Sequence, residues 1–393
     1  MIRALLLAAL VAQAQQFPAD GVRRARAVMD AIFSLDHAAG EKLCRDWIAT
    51  APEDPGGYVY LARTKWSEEL STRRALSLER YASPEFFSDD ERYRLPVPPA
   101  TVNSFRSFNT AGITRAKAML ARNPRDAWAL FTLGVGHQNE ATLEATFLHN
   151  WWTAFRQGTS AYRAHAQLRD IHPGLIDARL VPSVYRYVAG TVPWRVRWLA
   201  ALLGFRGSAE GGRKDLEEVA SRALLTNDDA RTVLALIYAR EKNFTDANRH
   251  LSDLRRRFPR NYIVHLDLGS IAMQMKRSDE AARLFREILI AIEGRQNGYE
   301  RLDRATVLNH LGTAERASRR FESALEQHRR SLTDSSATAR TRAIAQLETG
   351  RVYDLMGRRA EAIAAYRQVR SIPEMPGIAQ QARAHEAKAY RVQ

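Results

Sequence analysis

The sequence predicts an all-α chain: a right-handed α-solenoid of stacked helix pairs, with two aromatic-rich insertions in its middle repeats. Three observations carry this expectation. In the C-terminal half small residues recur in pairs twelve apart, as Ala235/Ala247, Gly269/Ala281, Gly312/Ala324 and Gly350/Ala362. Four residues after the second member stands a larger one: Leu251, Phe285, His328 and Tyr366. Between the two members runs a polar turn each time, at 241–247, 275–281, 318–324 and 356–362. Antiparallel helices approach closely only where Gly or Ala removes side-chain bulk, and the residue four places on lies one turn along the same face. No pair can bury its apolar face alone, so stacked neighbours supply the core.

Taken in chain order, residues 1–14 come first. Arg3 precedes the apolar run Ala4–Ala12, and Ala12-Gln13-Ala14 follows, the pattern of a secretory signal peptide. The run is far shorter than the roughly 20 apolar residues of a membrane span. The expectation is an exported chain, periplasmic or secreted, beginning near Gln15.

Residues 15–125 read as degenerate helix pairs. Gly40, Cys44, Trp47 and Pro52 sit at second-helix spacing, Leu61-Ala62 at first-helix spacing, and Met119 with Pro124 closes a later pair. Residues 82–100, with Pro84, Asp89-Asp90, Pro96 and Pro98-Pro99, read as an irregular loop. Cys44 occupies a position that buries a large apolar side chain, so an inert thiol is expected.

Residues 126–227 hold the insertions. From Gly134 to Ala161 the interval is 27 residues instead of twelve, and from Ser183 to Gly212 it is 29. The first excess centres on Phe147, Trp151, Trp152 and Phe155, the second on Trp194, Arg195, Arg197 and Trp198. Three readings fit these residues: a packed plug of extra helices, a ligand or peptide pocket, or a membrane-surface helix. Residues 228–375 carry the regular repeats, and 376–393 read as a C-terminal capping helix.

The regular repeats resemble tetratricopeptide (TPR) repeats, whose signature combines a 34-residue period with a Leu-Gly/Ala, Tyr, Ala, Phe, Pro pattern. Ala235 to Gly269 spans 34 residues; the next intervals are 43 and 38. Leu234, Leu268, Leu311, Tyr238, Tyr353 and Pro259 fit the pattern. The resemblance implies a groove lined by first helices, with Arg240, Gln274, Asn309, Thr313, Arg316, Arg351 and Asp354 facing a partner. The carboxylate clamp of chaperone-binding members is not reproduced at Thr232, Leu236, Leu266, Ser270, Asn309 and Leu347, so a chaperone tail is not the expected ligand.

Composition narrows the function further. Of 393 residues 45% are hydrophobic and 26% charged, which excludes a wholly disordered chain. One cysteine excludes a disulfide framework and a Cys-rich zinc site. The net charge of +15 invites a nucleic-acid reading, but it is spread along the chain, which points to the outer faces of amphipathic helices. The stretch 207–215 fails as a phosphate loop, because Arg213 stands where Lys is needed and no Ser or Thr follows Lys214. Gly134-Val135-Gly136 lacks the third glycine of a dinucleotide loop. His137 and His149 are the only histidines near an unusual feature, and His328 reads as a packed core residue. No enzyme, cofactor or metal is expected. The leading expectation is a non-catalytic scaffold binding a protein or peptide; the alternatives are lipid, small-molecule or membrane-surface binding through the insertions, and an RNA-binding solenoid.

Overall fold

The computed structural model describes residues 17–73, 75–82, 96–191, 207–370, 372 and 375–391, and all regular structure among them is helical. The signal-peptide residues, most of the 82–100 loop, and Trp194, Arg195, Arg197 and Trp198 lie outside the described residues. Two units are distinguished, residues 1–258 and 259–393.

In the first unit, helices α1 (Ala19–Phe33) and α2 (His37–Thr50) form the opening pair, followed by α3 (Pro55–Thr72) and the short α4 (Leu78–Ala82). Next come α5 (Pro99–Arg122), α6 (Ala127–Leu143), α7 (Trp151–Ile171), α8 (Leu180–Thr191), α9 (Ala209–Arg222), α10 (Asn227–Arg240) and α11 (Phe244–Arg257). The second unit contains α12 (Tyr262–Gln274), α13 (Ser278–Glu293), α14 (Arg304–Ala317), α15 (Phe321–Thr333), α16 (Ala339–Leu355), α17 (Arg359–Arg370) and α18 (Pro376–Ala387). The α-solenoid class holds in each unit as successive antiparallel helices packed on their neighbours.

The twelve-residue interval has a structural cause. Each first helix ends in a residue of left-handed conformation placed seven after the small position: Lys242, Lys276, Arg319 and Gly357. The next amide then reaches back five residues, Asn243 to Tyr238 O at 2.8 Å, Arg277 to Ala272 O, Arg320 to Glu315 O and Arg358 to Tyr353 O, each at 2.9 Å. This Schellman closure satisfies carbonyls that the helix end would leave open and sets the chain direction for the second helix. Leu35 does the same between α1 and α2, with Asp36 bonded to Ala31 O at 2.9 Å.

The small residues are needed because a ring lies on them. A Cβ at Gly269, Gly350 or Gly134 would overlap the rings of Phe285, Tyr366 and His165, and one at Gly312 would come within 2.6 Å of His328. In the Ser183/Gly212 pair the roles reverse. A Cβ on Gly212 would meet Ser183 O at 2.8 Å and Tyr187 N at 2.6 Å, so α8 and α9 touch backbone to backbone.

The longer interval before Gly312 is also accounted for. Residues 294–303 add a 3-10 turn at Tyr299–Arg301 that buries Tyr299, whose hydroxyl lies 2.9 Å from His265 Nδ1.

The first unit departs from the nearest-neighbour logic of a linear array. Its beginning meets its end: Arg63 of α3 pairs with Asp229 of α10, Phe33 stacks on Phe258 at 5.1 Å, and α10 packs on α4. The closing seam is electrostatic. Burial pushes Asp228 up to about 6 despite Arg257 at 3.0 Å and Arg231 at 3.2 Å, and Asp229 and Asp30 add to the rise. A buried carboxylate requires such partners, and Asp229 finds its partner, Arg63, on α3. The core beside the seam is aromatic: Trp47, Tyr60, Trp128 and Phe131 stack at 5.8–6.3 Å. Asp54 accepts both indole N–H groups, from Trp47 at 3.0 Å and Trp128 at 2.9 Å, while capping α3. Cys44 is fully buried there, and burial pushes its thiol up to about 12. Farther along, Asp177 is buried and receives the amides of Leu224, Leu225 and Thr226 at 2.7–3.1 Å, fixing the entry to α10.

Two glycines separate the two constraints. Gly357 has a φ of 77° with no heavy atom crowding its missing Cβ, so Gly357→Ala meets backbone strain alone and should cost about 1 kcal/mol. Gly312→Ala displaces the His328 ring and should cost roughly 1–3 kcal/mol. Urea unfolding of both variants checks the order; equal losses would contradict the ring-contact account.

The buried histidines make stability pH-dependent. Burial lowers both His165 and His328 from 6.5 to about 4. Their neutral forms leave stability whole above pH 6.5; it falls as pH drops toward 4, by roughly 1.4 kcal/mol per unit per group. Asp228 acts oppositely below pH 6, so a difference measurement is needed. His165→Phe should flatten the urea-midpoint profile between pH 6.5 and 4 relative to the parent chain; parallel profiles would remove His165 from the effect.

Candidate functional site

The groove positions assigned from the sequence divide into three groups. Arg240, in the first unit, and Gln274 on α12 are exposed, and Thr313 on α14 is half-buried. Asn309 is buried; its amide donates to Thr341 O at 2.9 Å, and its carbonyl oxygen lies 3.1 Å from His328 Nδ1. It ties α14 to α16 and α15 and presents no surface to a partner. Arg316, Arg351 and Asp354 come together in one polar cluster.

That cluster is built from helical spacing. Glu348, Arg351 and Asp354 stand three apart on α16, which brings them along one side of the helix. Arg316 on α14 reaches across to the same side. The Glu348 carboxylate accepts Arg316 Nε at 3.0 Å and Arg351 Nη1 at 2.6 Å. Burial raises this carboxyl, but Arg316, Arg351 and His328 outweigh it and hold it below the usual carboxylate range. Asp354, with no side-chain exposure, accepts Arg359 Nη1 at 2.9 Å and the Tyr366 hydroxyl at 2.8 Å.

The remaining partner is the chain's own C-terminal segment. Helix α18 packs on α17 and α16 and ends at Ala387, short of the capping helix expected to run to 393. After it Tyr390 turns back over the cluster. Its backbone N–H donates to Asp354 Oδ2 at 2.8 Å and its hydroxyl accepts from Arg316 Nη1 at 3.0 Å. The guanidinium carbons of Arg316 and Arg351 lie 5.3 and 5.1 Å from the ring centre, and His385 meets the ring edge-on at 5.2 Å. Arg351 also donates to Gln381 at 2.8 Å.

Sequence reasoning did not identify Glu348, Gln381, His385 or Tyr390. Glu348 is three residues before Arg351, and that i,i+3 charge pair was the available signal. Nothing marked Tyr390, since its place depends on where α18 stops.

The first aromatic insertion is not a plug of extra helices. The added residues lengthen the two helices of one hairpin, with a π-helical turn at Glu144–Leu148 before a sharp reversal at His149, φ 49°. Asn150 caps α7 by accepting the Thr153 amide at 3.2 Å. Phe147 is buried in a core with Leu70 and Phe105, and Trp151 is half-buried, edge-on to His149 at 5.6 Å. Trp152 is 69% and Phe155 40% exposed, and the two rings stack at 6.1 Å. Glu144, the first residue of that turn, pairs with Arg106 at 2.5 Å, and burial lifts its carboxyl.

Among the described residues no three His, Cys, Asp or Glu side chains gather to hold a metal, and no helix is long and apolar enough to cross a membrane.

Tetratricopeptide repeat family models match residues 261–337 and 344–372. Those two stretches carry tetratricopeptide repeats. Its solved structural neighbours are remote. The chain of the APC/C hetero-tetramer Cut9-Hcn1 is 13% identical, with a TM-score of 0.42, and the match covers 88% of this chain. This chain spans about half of that one, 52%. Yeast Tom70 is 14% identical with a TM-score of 0.36, covering 95% of this chain and 89% of that one. The human IFIT1 dimer with m7Gppp-AAAA is 12% identical with a TM-score of 0.40, covering 95% and 88%. No curated protein sequence matches the chain.

Proposed function

We propose that this repeat protein is an exported, non-catalytic scaffold. It binds a partner protein or peptide along the first helices of its repeats, with Arg316, Arg351 and Asp354 as recognition residues. The observation that carries the reading is the preorganised polar cluster on α14 and α16. Its charges are held by Glu348, Arg359 and Tyr366, so a ligand meets fixed donors and acceptors and little ordering cost remains. Export rests on the Arg3 to Ala14 pattern, and the absence of a catalytic role on the repeat family together with a cluster arranged as ion pairs. Affinity capture from an envelope extract tests it. The protein recovered there should begin at Gln15 by mass spectrometry and bring down a specific partner. Arg351→Lys, which keeps the charge but loses the forked geometry, should reduce that recovery about tenfold without unfolding the chain. Recovery of no specific partner at any salt concentration would reject the scaffold.

A second reading concerns α7. The exposed Trp152–Phe155 stack beside the exposed Arg156 combines apolar and cationic character, which suits a peripheral membrane contact. Replacing Trp152 and Phe155 together with Ala should abolish co-sedimentation with anionic vesicles; unchanged sedimentation would reject this role.

A further inference from the structure

Tyr390 is bound the way a ligand is bound. Every group that holds it is fixed by another bond: Arg316 and Arg351 by Glu348, and Asp354 by Arg359 and Tyr366. Helix α18 is anchored separately, Arg359 donating to Glu386 O at 2.6 Å and Arg367 pairing with Glu386 at 2.8 Å. The segment after Ala387 has no helical hydrogen-bond ladder of its own, and the neighbouring Lys388 and Arg391 are exposed. Withdrawing Tyr390 would therefore leave an assembled slot: two guanidiniums that lie over an aromatic ring, an N–H donor for its hydroxyl, and a carboxylate for a backbone amide.

We propose that Arg316, Glu348, Arg351 and Asp354 form a receptor for a tyrosine presented by a non-helical segment of a partner, and that the chain's own tail occupies it in cis. This rests on the scaffold reading and names the ligand chemistry of the same site. The hydroxyl bond to Arg316 selects Tyr over Phe, the two guanidiniums select an aromatic over an aliphatic side chain, and the bond to Asp354 needs a backbone N–H that is not tied up in a helix. A tethered occupant competes at an effective concentration of about millimolar, and a partner's apparent affinity falls by the fraction of time the slot is open. The tail is thus a built-in threshold: only a partner present in quantity, or one with further contacts along α12 and α14, displaces it.

The test uses the full chain and a labelled synthetic peptide of residues 384–393, followed by fluorescence anisotropy. Tyr390→Ala opens the slot and should bind the peptide at least about tenfold more tightly than the parent chain, in line with removal of the tethered competitor. Tyr390→Phe should lie between them, a check that does not depend on losing the ring. A peptide with Ala at its tyrosine position should bind neither protein, and adding Arg316→Ala to Tyr390→Ala should abolish binding. Equal peptide affinity of the parent chain and Tyr390→Ala would overturn the proposal, as would equal binding of the Ala peptide. A concentration-dependent dimer of the parent chain that Tyr390→Ala abolishes would overturn occupation in cis and place the tail on a second copy. If the parent chain captures an envelope partner while Tyr390→Ala fails to bind peptide, this inference falls and the scaffold stands. Absence of any captured partner rejects the scaffold itself.

Discussion

The contact on which these repeats depend is that between a residue without a side chain on one helix and a ring on the next. In an α-hairpin the interhelix distance is set by the bulkiest side chain at the crossing. Placing that bulk on one helix and removing it from the other lets the ring lie against backbone. Gly134 with His165, Gly269 with Phe285, Gly312 with His328 and Gly350 with Tyr366 all solve the crossing in this way. Elsewhere the same two register positions hold different pairs of residues. Ala235 and Leu251 divide the volume more evenly, and Val28 with Cys44 carries the larger residue on the first helix; all four are buried. What recurs is a close fit between the two positions, which close packing demands, more than the identity of either residue. Two of the rings being histidines follows from this: the position selects a flat group of the right size and accepts the depressed basicity that burial brings.

Close packing at a fixed interval made the repeats legible in the sequence, while the closure of the first unit left no such trace. A twelve-residue interval between small residues is visible without coordinates, and even the least regular pair, Ser183 with Gly212, meets as the spacing implied. The residues that enforce the interval are less visible. Lys242, Lys276 and Arg319 adopt a conformation usually given to glycine, and only Gly357 advertises it. Their hydrogen bonds are to backbone, so side-chain identity carries little of the signal. The contacts Arg63–Asp229 and Phe33–Phe258 join residues far apart in sequence, and no periodicity records them. The first insertion was legible as excess length but not as form. Fifteen residues divided between two existing helices look the same in the sequence as fifteen forming a separate element, and the decision falls to a local π-helical turn at Glu144–Leu148.

Net charge alone does not say where the arginines act. A surplus of basic residues suggests a diffuse field acting on a polyanion, yet many arginines here are engaged locally. Arg179 meets Glu218, Arg213 meets Glu241, Arg304 meets Asp334, and Arg316 meets Glu348. An arginine held by a carboxylate on one edge still offers its face and its remaining N–H groups. Its contribution to recognition is then geometric: it presents a flat cationic surface at a fixed place, where a free side chain would have to be ordered. This separates Arg316 and Arg351 from arginines that serve only as ties. Both are anchored by Glu348 and both lie over the ring of Tyr390. Helix register named Arg316, Arg351 and Asp354 from the sequence, along with the buried Asn309. The state of the cluster could not be read that way, because an arginine bound to its own tail and one open to solvent occupy the same register. The distinction rests on α18 ending at Ala387, after which Tyr390 returns to Arg316 and Asp354.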